Sequence, residues 1–268
     1  LIQIKKKDVL EELLKASAFE YINIQPEERK NSKLAAFTSL IKRNRKILPA
    51  LRELQPDLLI SSDASYAQLG FFLRIPCVTI LEDDYHVIKK LALLSYPFTS
   101  TILCPEVCKV GRWGKKKVGY KGYMKLAYLH PTIFKPNIEI VKKYNLPENY
   151  AIIRLAQLTA YHDDGIKGIS EDLLISIINK LKSKGITTII SAEGKIDERY
   201  SSLLLNIEAS DMHNILAEAK LLISDSQSMS VEASMLGVPV LRYSSFAGLI
   251  SVLEELEHLY GLTYGFPI

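Results

Sequence analysis

Ile223-Ser224-Asp225-Ser226-Gln227-Ser228-Met229-Ser230-Val231-Glu232-Ala233-Ser234-Met235-Leu236-Gly237-Val238-Pro239-Val240 is the stretch that decides the fold. It reads as strand, polar turn, helix, turn and strand. Residues 221–223 form a short apolar run of buried-strand type, and residues 224–228 are small and polar, the kind that cap helices. Residues 231–236 continue as helix, which Gly237 and Pro239 end. A helix start fronted by small side chains leaves backbone N–H groups open beside the positive end of the helix dipole, which suits an anion such as phosphate. Glu232 lies about one turn further in, where a carboxylate can accept hydrogen bonds from two neighbouring ribose hydroxyls. Diphosphate at the helix tip and ribose on the acid is how a nucleotide-sugar would be held. The same pattern also fits an ordinary capped crossover helix with Glu232 in water.

Outward from this motif, strand-like and helix-like segments alternate. Residues 1–4, 21–24, 58–61, 77–81 and 101–104 read as strands, with helical patterns over 8–16, 34–54, 66–73 and 87–94. A second run has strands at 151–155, 187–190, 221–223 and 238–241, and helices over 171–184, 211–218, 231–236 and 248–258. This rhythm predicts an α/β fold with parallel sheets covered by helices. Two prolines, Pro131 and Pro136, mark a change of pattern. Two doubly wound, Rossmann-like domains, 1–130 and 131–268, are therefore expected to face each other across a cleft. The chain opens on Leu1 inside an apolar alternation and ends after an aromatic, glycine-rich segment, so truncation at both termini is expected, above all in the first domain.

Composition narrows the function. The 268 residues are 48% apolar, enough for a sizeable core, and no apolar run reaches membrane-spanning length. The net charge of +4 is mild. Lys5-Lys6-Lys7 and Lys115-Lys116-Lys117 lack interleaved aromatics, so they read as solvated turns or helix ends and not as a nucleic-acid surface. Cys77, Cys104 and Cys108 are sparse and lack zinc-knuckle spacing, which fits free buried thiols in a reducing cytosol. No Gly-x-Ser-x-Gly elbow, Walker loop, HExxH or complete GxGxxG is present. No metal and no cofactor are expected.

Several polar residues fall at strand ends, where ligands of open α/β sheets bind. Asp63 ends one strand and can face the cleft or cap the next helix. Glu82-Asp83-Asp84 ends another, supplying an acid or base, or a helix cap. A divalent metal there has less support, because no further ligand cluster lies nearby in sequence. His162 and Lys167 sit in a glycine-punctuated loop after the first strand of the second half, facing a phosphate or sugar, or solvent. Met212 and His213 precede the deciding motif, where a base could stack, although Met212 equally suits the core. His130 serves as an acid or base, or as a structural hydrogen-bonding group.

Asp211-Met212-His213-Asn214 resembles the Asp-Phe-His-Asn segment of the non-hydrolysing UDP-N-acetylglucosamine 2-epimerases. Asp225 to Ala233 resembles their Asp-Ser-Gly-Gly-x-Gln-Glu-Glu-Ala, with Gly237-Val238-Pro239 shared after it. The second half thus looks like the donor-binding domain of GT-B-fold proteins. On that match Ser226, Gln227 and Ser228 occupy the diphosphate turn, Glu232 the ribose position, and Met212 the place of a base-stacking Phe, with His213 beside it. Asp63 and Glu82 fall near two epimerase carboxylates, and His162 near the His-Arg-Arg-Glu-Asn loop. The arginines of that loop are absent here, and Gln227 and Ser228 stand where the phosphate turn has glycines.

Over most of its length the chain is similar to a bacterial and archaeal family of predicted GT-B glycosyltransferases, a domain of unknown function. The likeness rests on Tyr120-Lys121-Gly122-Tyr123-Met124-Lys125-Leu126-Ala127-Tyr128-Leu129-His130-Pro131, on residues 162–170 and on residues 251–258. It implies a GT-B-like protein that binds a UDP-sugar donor and transfers the sugar to a glycan or lipid-linked acceptor in surface-polysaccharide assembly. Helix dipole and turn amides would stabilise the departing diphosphate. Asp63, Glu82 and His162 are the catalytic candidates; Met212, His213, Ser226, Gln227, Ser228 and Glu232 are the substrate-binding ones. Epimerisation of UDP-N-acetylglucosamine is the alternative reaction, and a non-catalytic nucleotide-sugar-binding scaffold the alternative class. The expected location is cytoplasmic, with or without attachment to the inner face of the membrane.

Overall fold

The computed structural model describes residues 2–5, 10–17, 19–25, 33–156, 168–194 and 196–268. The chain divides into two compact units, Leu1–Lys121 and Gly122–Ile268.

In the first unit β1 (Ile2–Lys5), α1 (Leu10–Ala16), β2 (Tyr21–Gln25) and α2 (Lys33–Leu54) come first. They are followed by β3 (Leu59–Ser61), α3 (Ala64–Leu73), β4 (Cys77–Ile80), α4 (Lys89–Ser95), β5 (Thr101–Pro105) and β6 (Lys117–Tyr120). β1 and β2 pair in parallel, and β3-β4-β5-β6 form a parallel sheet in sequence order. Ile24, Ile47, Leu51, Leu59, Ala67, Leu69 and Cys77 are buried together, so β2 and α2 share a core with β3, α3 and β4. Gly70 permits the tight return from α3 to β4: a Cβ there would sit 2.8 Å from the Ile75 carbonyl oxygen. The three cysteines are free and buried. Two lysines of the 115–117 run are bound to carbonyls, not solvated. Lys116 Nζ donates to the carbonyls of Tyr96, Pro97 and Thr99 at 2.9, 3.0 and 2.7 Å, closing the end of α4. Lys117 Nζ donates to those of Glu106 and Cys108, both at 2.7 Å.

The second unit contains α5 (Leu126–Leu129), α6 (Ile138–Lys143), β7 (Tyr150–Leu155), α7 (Glu171–Ser183), β8 (Thr187–Ala192) and α8 (Met212–Glu218). β9 (Leu221–Ser224), α9 (Gln227–Met235), β10 (Val240–Tyr243), α10 (Ser251–His258) and β11 (Thr263–Phe266) complete it. All five strands are parallel, in the order β8-β7-β9-β10-β11. The alternation of side chains sets two cores. Tyr150, Ile152, Leu222 and Val240 pack with Ile215 and Leu216 of α8 and Met229 and Ala233 of α9. Ala151, Ile153, Ile190 and Ile223 point the other way, onto Leu174, Ile177 and Leu181 of α7.

The division of the chain falls before the Pro131–Pro136 stretch that was expected to separate the domains. Residues 122–130 belong to the second unit because their side chains are tied there. Tyr123 Oη donates to Glu255 Oε2 at 2.6 Å, and Tyr128 Oη to Glu232 Oε1 at 2.9 Å.

Candidate functional site

The second sheet changes direction at β7. The chain runs from β7 to β8 on one side, then crosses to β9 on the other side of β7. Outside the carboxyl ends of neighbouring strands that diverge in this way lies the crevice where open α/β sheets take ligands. Ser224 and Asp225 at the end of β9, and Leu155 and Ala156 at the end of β7, border it.

Asp225 organises this edge. Its side chain is buried; Oδ1 accepts from the Ala156 amide at 2.7 Å and Oδ2 from the Ile169 amide at 3.2 Å. One carboxylate thus holds both ends of the chain that leaves β7 and returns toward α7. Burial pushes the Asp225 pKa up, and the two amides pull against that without cancelling it. The adjoining strand residue Arg154 donates to Ser191 Oγ at 2.7 Å and pairs with Glu193, while its Nε is buried without an acceptor among the described residues.

Ser226 caps α9, its Oγ accepting from the Met229 amide at 3.4 Å. Helix therefore begins at Gln227, earlier than the apolar periodicity indicates. Two of its serines are buried and satisfied by the preceding turn: Ser230 Oγ donates to the Ser226 carbonyl at 2.6 Å and Ser234 Oγ to that of Ser230 at 2.9 Å. Gly237, at φ +78°, ends the helix, and the Val238 amide returns to the Ala233 carbonyl at 2.9 Å. At the other end the amides of Gln227 and Ser228 have no acceptor among the described residues, and the Ser228 side chain is exposed. Gln227 Nε2 donates to the Asp225 carbonyl at 3.3 Å, and its buried Oε1 has no donor among the described residues.

Glu232 is not a solvated surface carboxylate. Its side chain is 17% exposed, with Oε2 3.3 Å from His213 Nε2 and Oε1 accepting from Tyr128. Burial alone would raise its pKa. The hydrogen bond and charge of His213, the Tyr128 hydroxyl and the Lys125 charge outweigh that and hold it below the ordinary glutamate range. His213 contacts two rings, with centroids 5.6 Å from Tyr128 and 6.1 Å from Phe134. Met212 instead packs against the core beneath α8. Asp211 stands at the N-cap of α8 without capping it; its carboxylate takes Lys143 Nζ at 2.9 Å and Tyr144 Oη at 2.7 Å.

Ser226, Gln227, Ser228, Glu232 and His213 thus lie on α9 and the start of α8, within the second unit. In the first unit Asp63 caps α3, accepting from the Ser65 amide at 2.8 Å and lying 3.5 Å from Arg43 Nε. The Glu82 carbonyl accepts from the Cys108 thiol at 3.0 Å. His162 and Lys167 lie outside the described residues. His130 makes a local turn, its Nδ1 accepting from the Thr132 amide at 3.2 Å. Among the described residues no group of three or more His, Cys, Asp or Glu side chains could hold a metal ion. Asp225, Tyr128 and Phe134 are the residues that motif reading underrated. The signal for Asp225 was its position, directly between a strand and a helix cap.

Parallel α/β sheets in both units, with a capped helix opening at the switch point of the second, give the chain a GT-B-like fold. Solved structures agree on the fold. A UDP-GlcNAc 2-epimerase from Methanocaldococcus jannaschii is 14% identical with a TM-score of 0.65, covering 95% of this chain and 77% of that one. A UDP-N-acetylglucosamine 2-epimerase from Rickettsia bellii is 16% identical with a TM-score of 0.62, covering 90% and 71%. Anabaena HepE, solved with UDP and glucose, is 14% identical with a TM-score of 0.60, covering 99% and 77%. The chain belongs to the family described as Protein of unknown function (DUF354), whose model matches residues 1–252. No curated protein matches it.

Proposed function

We propose that the second unit binds a UDP-sugar and that the protein is a glycosyltransferase. The observation that carries this reading is α9: its open N-terminal amides at the switch point, with a carboxylate held ionised one turn further in. Phosphate oxygens accept from the Gln227 and Ser228 amides, ribose hydroxyls donate to Glu232, and the His213 ring lies beside the base. A preorganised helix terminus favours diphosphate most as it gains charge on leaving, which is the event in glycosyl transfer. Similar folds in solved structures hold UDP and glucose, or UDP-GlcNAc and UDP, which supports the choice of ligand. Asp63, Glu82 and His162 remain the catalytic candidates. The acceptor is a glycan or a lipid-linked sugar.

The second reading is epimerisation, favoured by the likeness in fold to UDP-GlcNAc 2-epimerases. That chemistry also departs through diphosphate, so α9 serves both. Calorimetry with UDP, UDP-GlcNAc and other nucleotide-sugars tests the ligand; absence of binding to all of them refutes the reading. Product analysis then separates the reactions. Free UDP with a new glycoside marks transfer, and an altered sugar on intact UDP marks epimerisation.

A further inference from the structure

The ends of α3 and α4 in the first unit carry a cluster of three rings, of which Phe98 packs against the core and Phe71 and Phe72 are left exposed. Phe72 is 73% exposed, the highest value of any large apolar side chain among the described residues, and Phe71 is 59% exposed. Phe98, in the turn after α4, joins them. Its ring centroid is 5.7 Å from that of Phe71 and 6.4 Å from that of Phe72, and the two α3 rings are 5.7 Å apart. Gln68 Nε2 donates to the Leu94 carbonyl at 3.0 Å, tying the two helices together beneath the cluster. Single exposed apolar residues need no explanation, but a contiguous aromatic cluster marks a contact surface.

The charge around it is mostly positive. Arg74 ends α3 with its amide on the Phe71 carbonyl at 3.3 Å and its side chain exposed. Lys116 Nζ reaches the Pro97 carbonyl beside Phe98, and the adjoining Lys115 is exposed. These segments enter β4, β5 and β6 at their amino ends. The acids of this part of the chain, Glu82, Asp83, Asp84 and Glu106, follow the carboxyl ends of β4 and β5, on the opposite edge of the parallel sheet. On the ring-bearing edge the acids are Glu53, in the last turn of α2 beside Arg52, and Asp57, ahead of the outer strand β3.

We propose that this end of the first unit docks on an anionic lipid surface. Phe71 and Phe72 enter the boundary between headgroups and acyl chains, while Arg74 and Lys115 lie against headgroup phosphates. Apolar insertion combined with neighbouring cations supplies the two signals that reversible membrane attachment needs. A second copy of the chain suits the surface less, because an isologous contact would bring the same cations together. No helix among the described residues is long and apolar enough to cross a membrane, so the attachment is to the surface. The inference does not depend on the nucleotide reading.

The 268-residue chain is co-sedimented with vesicles of phosphatidylcholine alone and of phosphatidylcholine with phosphatidylserine. Binding is expected to the anionic vesicles only, and to weaken with salt. The Phe71→Ser/Phe72→Ser double variant should lose roughly tenfold or more, from the apolar transfer forgone. Lys115→Glu should lose about fivefold or more, from the cation removed. Circular dichroism should match wild type for both, since all three side chains are exposed. Failure to bind anionic vesicles overturns the proposal, as does equal binding by the double variant. A dimer in sedimentation velocity that the double variant abolishes, without vesicle binding, assigns the rings to self-association and overturns it as well.

Discussion

Glu232→Ala separates two jobs that the same carboxylate performs. In the unligated protein its oxygens take the Tyr128 hydroxyl at 2.9 Å and His213 at 3.3 Å. Hydrogen bonds to a charged group contribute about 1.5–3 kcal/mol each. The His213 contact is long, and the partners reach water once released, so the expected loss of stability is about 1–2 kcal/mol in all. The ligand adds its own demand. A carboxylate has about four acceptor sites, so two ribose hydroxyls can bind alongside Tyr128 and His213. Losing them should weaken UDP binding by about 1.5–3 kcal/mol, ten- to a hundredfold. Glu232→Gln keeps one acceptor oxygen and should lose less. The stability effect depends on pH with a definite sign. Because the folded protein holds this carboxyl below its ordinary pKa, its contribution is present above the unfolded value of about 4.3 and is lost as pH falls through the folded value. Urea denaturation of the unligated chain reads the first effect and calorimetry with UDP the second. If wild type binds UDP and Glu232→Ala binds it equally well, the ribose assignment is wrong, whatever happens to stability.

Asp225→Ala should cost about 3 kcal/mol in thermal denaturation, because two amides lose a charged acceptor; an unchanged midpoint would show that the clamp contributes nothing. Asp225→Asn should gain on wild type as pH rises, since the advantage of a raised folded pKa exists below the unfolded value and disappears as the folded one is passed. Ser228→Trp should leave the melting temperature unchanged, as that side chain is exposed, yet weaken UDP binding by at least tenfold in calorimetry through blocking the approach to the amides. Lys116→Met should lower stability by about 1–2 kcal/mol by releasing three carbonyls from one charged donor, and denaturation identical to wild type would refute that role.

The parallel α/β alternation was legible because strand and helix periods differ and the deciding motif carries its own caps. Boundaries slipped where a cap, not a periodicity, sets them. Ser226 starts α9 at Gln227, and Gly248, at φ +82°, delays α10 to Ser251. Two edge strands, β6 and β11, escaped notice: Lys117-Val118-Gly119-Tyr120 and Thr263-Tyr264-Gly265-Phe266 each contain a glycine that weakens a strand pattern. The domain boundary escaped because prolines mark turns, whereas the actual division depends on Tyr123 and Tyr128 reaching residues more than a hundred positions away. In the site, α9 could be read locally. The partners of Glu232 could not, because no spacing rule links Tyr128, His213 and position 232. Asp63 caps α3, a use that its sequence also allowed.

The Asp225 clamp has an evolutionary consequence. The chain leaves β7 at Ala156 and is recaptured at Ile169 by the two oxygens of one side chain. Those two bonds tie the carboxyl ends of β7 and β9 and the approach to α7 to a single side chain, so this edge of the sheet is registered from within the framework. A lineage that keeps Asp225 keeps these three elements in step, whatever else in its sequence drifts.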